Sequence, residues 1–226
     1  MNTDANILGN GPSLKNIDIN QFKETHSFFM NASYRFYERL GWYPQYYSCL
    51  DLVVGLSHKD AIHSMIKNHE AFGIKAFLLR QNLLNEIGVE HDGIVIFNFD
   101  LITNTVLGMN SNPITTGSHT LAWAVSLGFR DIKLYGIDLN YQEELPGQER
   151  TGTDYELLKT DNSANPNYFF DDYQQEGDKF NVPNAFPNVH INSWNNVAKV
   201  LKAIPDLRVV NASPVSALTC FPPSTS

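Results

Sequence analysis

The sequence predicts an α/β fold: a Rossmann-like, mainly parallel sheet flanked by helices and carrying a long lid-like insertion. Short apolar runs alternate with segments of helical periodicity, which is typical of βαβ units. Residues 115–138 have the pattern of a helix, a Gly128 that ends it, and a strand. Residues 140–188 lack apolar periodicity, and a stretch this long within one domain is typical of lids and binding loops.

The individual elements follow in chain order. Apolar runs predict strands at residues 5–8, 27–30, 46–50, 75–79, 93–97, 131–135 and 207–211. Helical periodicity predicts helices at residues 57–68, from residue 115 or 116, and at 193–203, with Ser57 as the N-cap of the first. No period repeats along the chain, so a solenoid is not expected.

Length and composition indicate one folded domain over residues 1–226, with the insertion at residues 140–190. The 226 residues are 42% hydrophobic and 18% charged, which is typical of a globular protein. A formal net charge of -8 argues against general nucleic-acid binding. Two distant cysteines, Cys49 and Cys220, argue against a zinc site or disulfide framework and favour the cytoplasm. No apolar run approaches the roughly 18 residues of an integral membrane segment.

A glycine-rich turn follows the first predicted strand. Gly9 and Gly11 let the backbone approach a phosphate or a ribose closely, and the amides up to Ser13 can donate to an anion; Asn10 lies between the glycines. The alternative is an ordinary strand-to-helix turn without a ligand. The turn lacks the third glycine of the dinucleotide fingerprint and the lysine of a P-loop.

A second polar cluster opens the helix of residues 115–138. Thr115, Thr116 and Ser118 place three hydroxyls around Gly117 at a helix N-terminus, which favours an anion site. Ordinary capping is the alternative, although capping needs only one such residue. Asp138 ends the next strand, at the edge where open α/β sheets bind ligands.

His190 follows the insertion and precedes the last predicted helix. An imidazole titrates near neutral pH and can take a proton from an attacking hydroxyl, whereas the alternative is a packing or surface histidine. The chain contains no Asp-x-Asp triplet of the kind that holds a divalent ion on a donor diphosphate. We therefore expect no obligatory metal or other cofactor.

Three motifs in order carry a resemblance. They are Gly-Asn-Gly-Pro-Ser-Leu at residues 9–14, Ile-Thr-Thr-Gly at residues 114–117, and Leu-Gly-Phe through Leu-Tyr-Gly-Ile-Asp at residues 127–138. The three motifs resemble those of the bacterial lipooligosaccharide sialyltransferases. They resemble equally a wider group of poorly characterised bacterial proteins related to archaeal pterin pyrophosphokinases. The resemblance runs from about residue 5 to about residue 214 and is dense only in the motifs and near the C-terminus.

The resemblance implies roles for particular residues. Asn10 and Asn31 would hold a cytidine nucleotide, together with the helix start at residues 115–117. Tyr141 would bind the donor phosphate, and Tyr155 is taken as a second phosphate-binding tyrosine. His190, which precedes Ser-Pro-Val-Ser at residues 213–216, would be the general base. The chain departs from the family pattern at Asp51, where the family has asparagine, and a carboxylate beside a phosphate is unfavourable without a cation or a hydroxyl.

The implied function is an inverting glycosyltransferase that moves a sialic-acid-like or related acidic sugar from a CMP-linked donor to a glycan hydroxyl. The expected location is the cytoplasm, with peripheral attachment to the inner membrane as an alternative; a homo-oligomer is left open. A magnesium-dependent pyrophosphokinase using ATP, with Asp51 and Asp138 on the ion, is a second hypothesis. A non-catalytic nucleotide-binding module is the third.

Overall fold

The computed structural model describes residues 3–103, 113–140, 148–151, 154–157, 166–181 and 188–224. Seven strands form one sheet in which every pair of neighbours is parallel. They are β1 (Asp4–Leu8), β2 (Ser27–Met30), β3 (Tyr46–Cys49), β4 (Ala76–Leu79), β5 (Ile96–Asn98), β6 (Asp131–Tyr135) and β10 (Arg208–Asn211), in the order β10-β6-β1-β2-β3-β4-β5. A separate antiparallel sheet in the insertion contains β7 (Gln148–Thr151), β8 (Asp154–Leu157) and β9 (Lys179–Asn181).

Helices connect the parallel strands. They are α1 (Tyr37–Leu40), α2 (Leu52–Ser57), α3 (Lys59–Lys67), α4 (His69–Phe72), α5 (Gln81–Ile87), α6 (Phe99–Ile102), α7 (Thr116–Ser126) and α8 (Val189–Leu201). Short 3-10 helices follow the first two strands, at Pro12–Asn16, Ile19–Phe22 and Asn31–Phe36. In the described part of the chain, no helix is long and apolar enough to cross a membrane.

The sheet is covered on both faces, which explains why its strands are continuous apolar runs. Side chains alternate along a strand, so Phe28 and Leu78 join the core that includes α7 and α8. Their neighbours Phe29 and Leu79 join the opposite core, with α3 and α5. The predicted α/β fold, a mainly parallel sheet flanked by helices, is therefore confirmed.

The helix predicted at residues 57–68 begins at the wrong place. Ser57 is the last residue of α2, and α3 begins at Lys59. The Ser57 hydroxyl accepts a hydrogen bond from the Lys179 amide of β9 at 3.0 Å instead of capping a helix. Between the two helices, the buried His58 bonds through Nδ1 to the Tyr34 hydroxyl at 2.9 Å. Tertiary contacts of this kind have no signal in local periodicity.

The strand predicted at residues 93–97 also begins later, at Ile96. One carboxylate oxygen of Asp92 accepts the backbone amides of Ile94, Val95 and Ile96, each at 2.8 Å. This turn occupies amides that a longer strand would use in the sheet.

The glycines after β1 allow two loops to pass in close contact. A Cβ on Gly9 would lie 2.4 Å from the Gly136 carbonyl oxygen, and a Cβ on Gly11 would lie 2.6 Å from the Asp138 carboxylate. The Gly11 amide donates to the Gly136 carbonyl at 2.9 Å. The glycines are therefore needed for the approach of the turn after β1 to the turn after β6.

Gly9→Ala is expected to destabilise the protein by about 1–3 kcal/mol, because the obstructing atom is backbone and moves only with the sheet. Equilibrium urea unfolding measures this change. Gly55→Ala is the matched control: its Cβ would meet a terminal methyl of Leu83 at 3.2 Å, and alanine favours the helix in which Gly55 lies. A Gly9→Ala variant as stable as the control would contradict the expectation.

Candidate functional site

Polar residues converge at the carboxyl ends of β1, β2 and β3, beside the first turn of α7. Asn10 follows β1, Asn31 follows β2 and Asp51 follows β3. Thr116 begins α7 and reaches two of these loops. In open parallel sheets this edge is where ligands bind. We refer to Asn10, Asn31, Asp51, Thr116 and His190 as the strand-end cluster.

Asn10 crosses from the glycine-rich turn toward the insertion. Its side-chain amide donates to the Met30 carbonyl at 3.2 Å and to the Tyr173 hydroxyl at 3.0 Å. Its backbone carbonyl accepts the Phe169 amide at 3.1 Å. The Asn10 Oδ1 atom is buried and has no hydrogen-bond partner among the described residues. A buried acceptor without a donor is costly, so this atom is a candidate contact for a ligand hydroxyl or amino group.

Asn31 adopts a left-handed conformation, with a φ of 55°. Asparagine tolerates this region better than most residues, and a non-glycine residue there is typical of sites where geometry matters more than local stability. Its Oδ1 atom accepts a hydrogen bond from the Thr116 hydroxyl at 3.2 Å, and that hydroxyl accepts the Leu50 amide at 3.2 Å. Thr116 therefore ties α7 to the ends of β2 and β3.

The other polar residues of the α7 start face α8 instead. The Thr115 and Ser118 hydroxyls bond to each other at 2.8 Å, and both bond to Ser193 of α8, at 3.2 and 2.7 Å. Gly117 makes room for Trp194, whose ring would lie 3.1 Å from a Cβ there. Thr115 is the N-cap residue, but its side chain makes no capping bond. The first amides of a helix have no intrahelical acceptor, so the first turn of α7 remains able to bind an anion.

The Asp138 side chain bonds to another loop of the protein. Its carboxylate accepts the Ser13 amide at 2.8 Å and bonds to the Ser13 hydroxyl at 2.5 Å, and the residue is buried. With Gly9 and Gly11, these two residues join the turn after β1 to the turn after β6. The structure therefore brings four of the predicted ligand-binding residues together in a contact between two loops.

His190 lies inside α8, as its second residue, and not before the helix as the sequence predicts. Burial lowers the pKa of His190, and the nearby Asp51 carboxylate opposes this by favouring the protonated form. Asp51 caps α2 through the Val54 amide at 3.1 Å, and its second oxygen accepts the Asn181 side-chain amide at 2.8 Å. The half-buried imidazole thus lies on the same side of the sheet edge as a carboxylate whose two oxygens are held by α2 and by Asn181.

Residues 166–181 of the insertion contact the same edge. Tyr173 bonds to Asn10 and stacks on Tyr168, with ring centroids 3.8 Å apart. The Arg35 guanidinium donates to both carboxylate oxygens of Asp178, at 2.5 and 2.9 Å, and to the Tyr173 carbonyl at 2.8 Å. The pKa of His58, 4.0 Å from Asp178, falls to about 4 because of burial, although Asp178 opposes the shift.

Sequence reasoning missed the contacts of Tyr173 and Asn181, which come from the insertion. The available signal was composition, since residues 168–173 contain four aromatic side chains. Of the tyrosines it proposed, Tyr141 lies outside the described residues. Tyr155 lies on β8 opposite Phe180 of β9. Both remain predictions as phosphate ligands.

Comparison with known proteins gives a match at the level of fold. No protein-family model matches the chain, and no curated protein matches its sequence. Among solved structures, the sialyltransferase CstII of Campylobacter jejuni, in complex with a trisaccharide acceptor and CMP, is 18% identical, with a TM-score of 0.55. The alignment covers 97% of this chain and 85% of CstII.

Two further structures have the same fold. An α-2,3-sialyltransferase from Campylobacter jejuni is 20% identical over 99% of this chain and 80% of its own, with a TM-score of 0.54. The MAf glycosyltransferase from Magnetospirillum magneticum is 16% identical with a TM-score of 0.54. It aligns with 100% of this chain, which spans only 34% of its length. The chain therefore has an α/β fold that is shared with structures of glycosyltransferases.

Proposed function

We propose that this chain is an inverting glycosyltransferase that moves a sugar from a nucleotide donor to a glycan hydroxyl. The shared fold supports the class, since each of the three structures compared above is a sugar-transferring enzyme. Fold alone does not define activity, so the proposal depends on the strand-end cluster. The donor is CMP-linked and its sugar is sialic-acid-like or a related acidic sugar; the CMP bound in CstII supports this choice.

The observation that carries the proposal is the buried Oδ1 of Asn10, which has no hydrogen-bond partner in the part of the chain that the structure describes. It lies in the turn after β1, and its amide already bridges β2 and the insertion. A nucleoside offers hydroxyl and amino donors that would satisfy this acceptor. Its phosphate would then meet the amides of the first turn of α7, which have no intrahelical acceptor and which Thr116 holds beside Asn31. A nucleotide would thus supply both a donor for the Asn10 oxygen and an anion for the start of α7.

In the proposed reaction, neutral His190 takes the proton of the acceptor hydroxyl. The oxygen attacks the anomeric carbon from the face opposite the nucleotide, which inverts the configuration. The nucleotide phosphate leaves with the bonding electron pair, and the α7 amides together with Tyr141 stabilise its charge. Segment 140–190 would act as a lid that limits hydrolysis of the donor.

Thermal unfolding with a nucleotide panel tests the proposal. CMP, CDP, UDP, GDP and ATP are each added with and without magnesium, and CMP is expected to stabilise the protein without metal. A ligand at about 100 times its Kd adds roughly 2.7 kcal/mol, a readily measured shift. Asn10→Ala is expected to abolish the CMP shift, whereas Asn82→Ala, at an exposed position of α5, serves as the control.

The other outcomes are equally informative. Stabilisation only by ATP with magnesium would replace the proposal with the pyrophosphokinase, and Asp51 and Asp138 would become its candidate metal ligands. CMP binding without transfer or donor hydrolysis, tested with CMP-linked acidic sugars and glycan acceptors, would indicate a nucleotide-binding module. Absence of any nucleotide shift would contradict a nucleotide donor altogether.

A further inference from the structure

Strand β3 carries a buried tyrosine whose hydroxyl reaches the strand-end cluster. Tyr47 is fully buried, and its hydroxyl donates to the backbone carbonyl of Asn31 at 2.7 Å. Its register partner on β2 is Phe29, and Asn31 lies two residues beyond Phe29, where β2 has ended. Burial raises the pKa of Tyr47 well above its ordinary value, so the hydroxyl stays protonated and can donate.

The hydroxyl of Tyr47 is not needed to fill the core. Phe77, the register partner of Tyr47 on β4, packs in the same core without a hydroxyl. Burying a hydroxyl among apolar side chains is costly unless it is hydrogen-bonded, and the Asn31 carbonyl supplies that bond. The hydroxyl therefore contributes a directed contact with Asn31 rather than core volume.

The backbone of Asn31 requires such a contact because it is left-handed, with a φ of 55°. Asparagine tolerates this region, but a non-glycine residue stays there only when its surroundings hold it. The Tyr47 hydroxyl holds the carbonyl, and the Thr116 hydroxyl donates to the side-chain Oδ1 atom at 3.2 Å. Because Oδ1 accepts from Thr116, the Nδ2 amide group is the part of the Asn31 side chain that can donate to a ligand.

We propose that Tyr47 is a positioning residue of the nucleotide site: its hydroxyl holds the Asn31 backbone in the left-handed conformation that presents the Asn31 amide to the ligand. Tyr47 itself lies in the core and acts only through Asn31. The effect on binding rests on the proposed nucleotide donor, whereas the effect on the Asn31 backbone concerns the free protein. Without the hydroxyl, residue 31 would populate right-handed conformations, and the apparent Kd would rise as the competent fraction falls.

Tyr47→Phe removes the hydroxyl and keeps the ring. Backbone carbon chemical shifts, measured by NMR in the free protein, distinguish left-handed from right-handed residues, and the left-handed pattern at residue 31 is expected to be lost. Tyr37→Phe is the matched control and should keep the pattern. Tyr37 is equally buried, and its hydroxyl bonds to the Ser33 hydroxyl at 2.7 Å, so the control loses a comparable bond. A folded Tyr47→Phe variant that keeps the left-handed pattern would overturn the proposal.

Asn31→Ala tests the same contact if Tyr47→Phe does not fold. Alanine does not favour the left-handed region and cannot bond to Thr116, but its backbone carbonyl can still accept from Tyr47. The left-handed pattern at position 31 is therefore expected to persist. A right-handed pattern in this variant would show that asparagine itself sets the conformation, and the proposed role of Tyr47 would be wrong.

Nucleotide binding tests the consequence for the site. Tyr47→Phe is expected to bind CMP about tenfold more weakly, whereas Tyr37→Phe should bind it normally although it also loses a buried bond. In transfer, the KM of the donor should rise while kcat changes little, because His190 is unaltered. A lost pattern with unchanged CMP affinity would contradict the positioning role. Since the shifts are measured without nucleotide, the expected shifts in a protein that binds no nucleotide would refute the transferase and leave the hold of Tyr47 on Asn31 intact.

Discussion

Replacing His190 with alanine is expected to lower the rate of sugar transfer by about 10²–10⁴-fold, the usual contribution of a general base. The stabilisation by CMP should remain, because Asn10, Asn31 and the first turn of α7 are unchanged. Transfer is measured as release of CMP that depends on the acceptor. His63→Ala on α3 is the matched control and should transfer at the normal rate.

The pH dependence of the normal protein tests the same residue. Burial lowers the pKa of His190 below its ordinary value of 6.5, so the imidazole is neutral at pH 7 and can accept a proton. The rate should therefore fall only as the pH drops through this lowered value, where His190 becomes protonated. His190→Ala should lose this acidic limb. Equal rates in His190→Ala and the normal protein would remove His190 from the mechanism, whatever the nucleotide panel shows.

Asp178→Ala is expected to destabilise the protein by about 3–5 kcal/mol, because it leaves the Arg35 guanidinium charged and largely buried. The side chains of Arg35 and Asp178 are only 14% and 10% exposed. The lost pair also anchors Tyr173, whose carbonyl accepts from Arg35 and whose hydroxyl accepts from Asn10. Urea unfolding measures the stability, and hydrogen exchange at the Phe169 amide reports whether the insertion has separated from the turn after β1.

Asp172→Ala provides the comparison from the same segment. Asp172 pairs with Arg39, but these side chains are 43% and 50% exposed, and a solvent-exposed pair contributes about 0–1 kcal/mol. We expect the Asp178 substitution to cost much more stability than the Asp172 substitution, because only the Arg35–Asp178 pair is buried. Similar small losses in both variants would show that the Arg35–Asp178 pair is not needed to hold the insertion.

The fold was predictable because a parallel sheet covered on both faces requires continuous apolar strands. Ser27–Met30 and Ala76–Leu79 are entirely buried, and both are visible as apolar runs. The break between α2 and α3 was not predictable in the same way. His58 is drawn inward by Tyr34 and lies near Asp178, a residue 120 positions away in the chain. Local periodicity carries no information on such a contact.

In the candidate site, too, some residues could be predicted from the sequence whereas their long-range contacts could not. Asn10 and Thr116 could be selected because they lie in the turn after a strand and at the start of a helix, whereas Asn31 was selected only through the family resemblance. The Asn10–Tyr173 bond spans 163 positions and the Asp51–Asn181 bond spans 130. Both partners lie in a segment without apolar periodicity, so neither its strand β9 nor its contacts could be placed from sequence. The role of the glycines in loop-to-loop contact was likewise visible only in three dimensions.

The bonds between Asn10 and the insertion constrain how this protein can be re-engineered. Loop grafting treats a variable segment as a module that is exchanged between relatives while the scaffold stays constant. Here the boundary of the module does not coincide with the ends of the loop, because Asn10 and Arg35 on the scaffold bond to residues 169, 173 and 178. A chimera that receives a foreign segment must also receive compatible residues at positions 10 and 35. The properties of this segment are therefore better altered by point substitutions than by exchange of the whole segment.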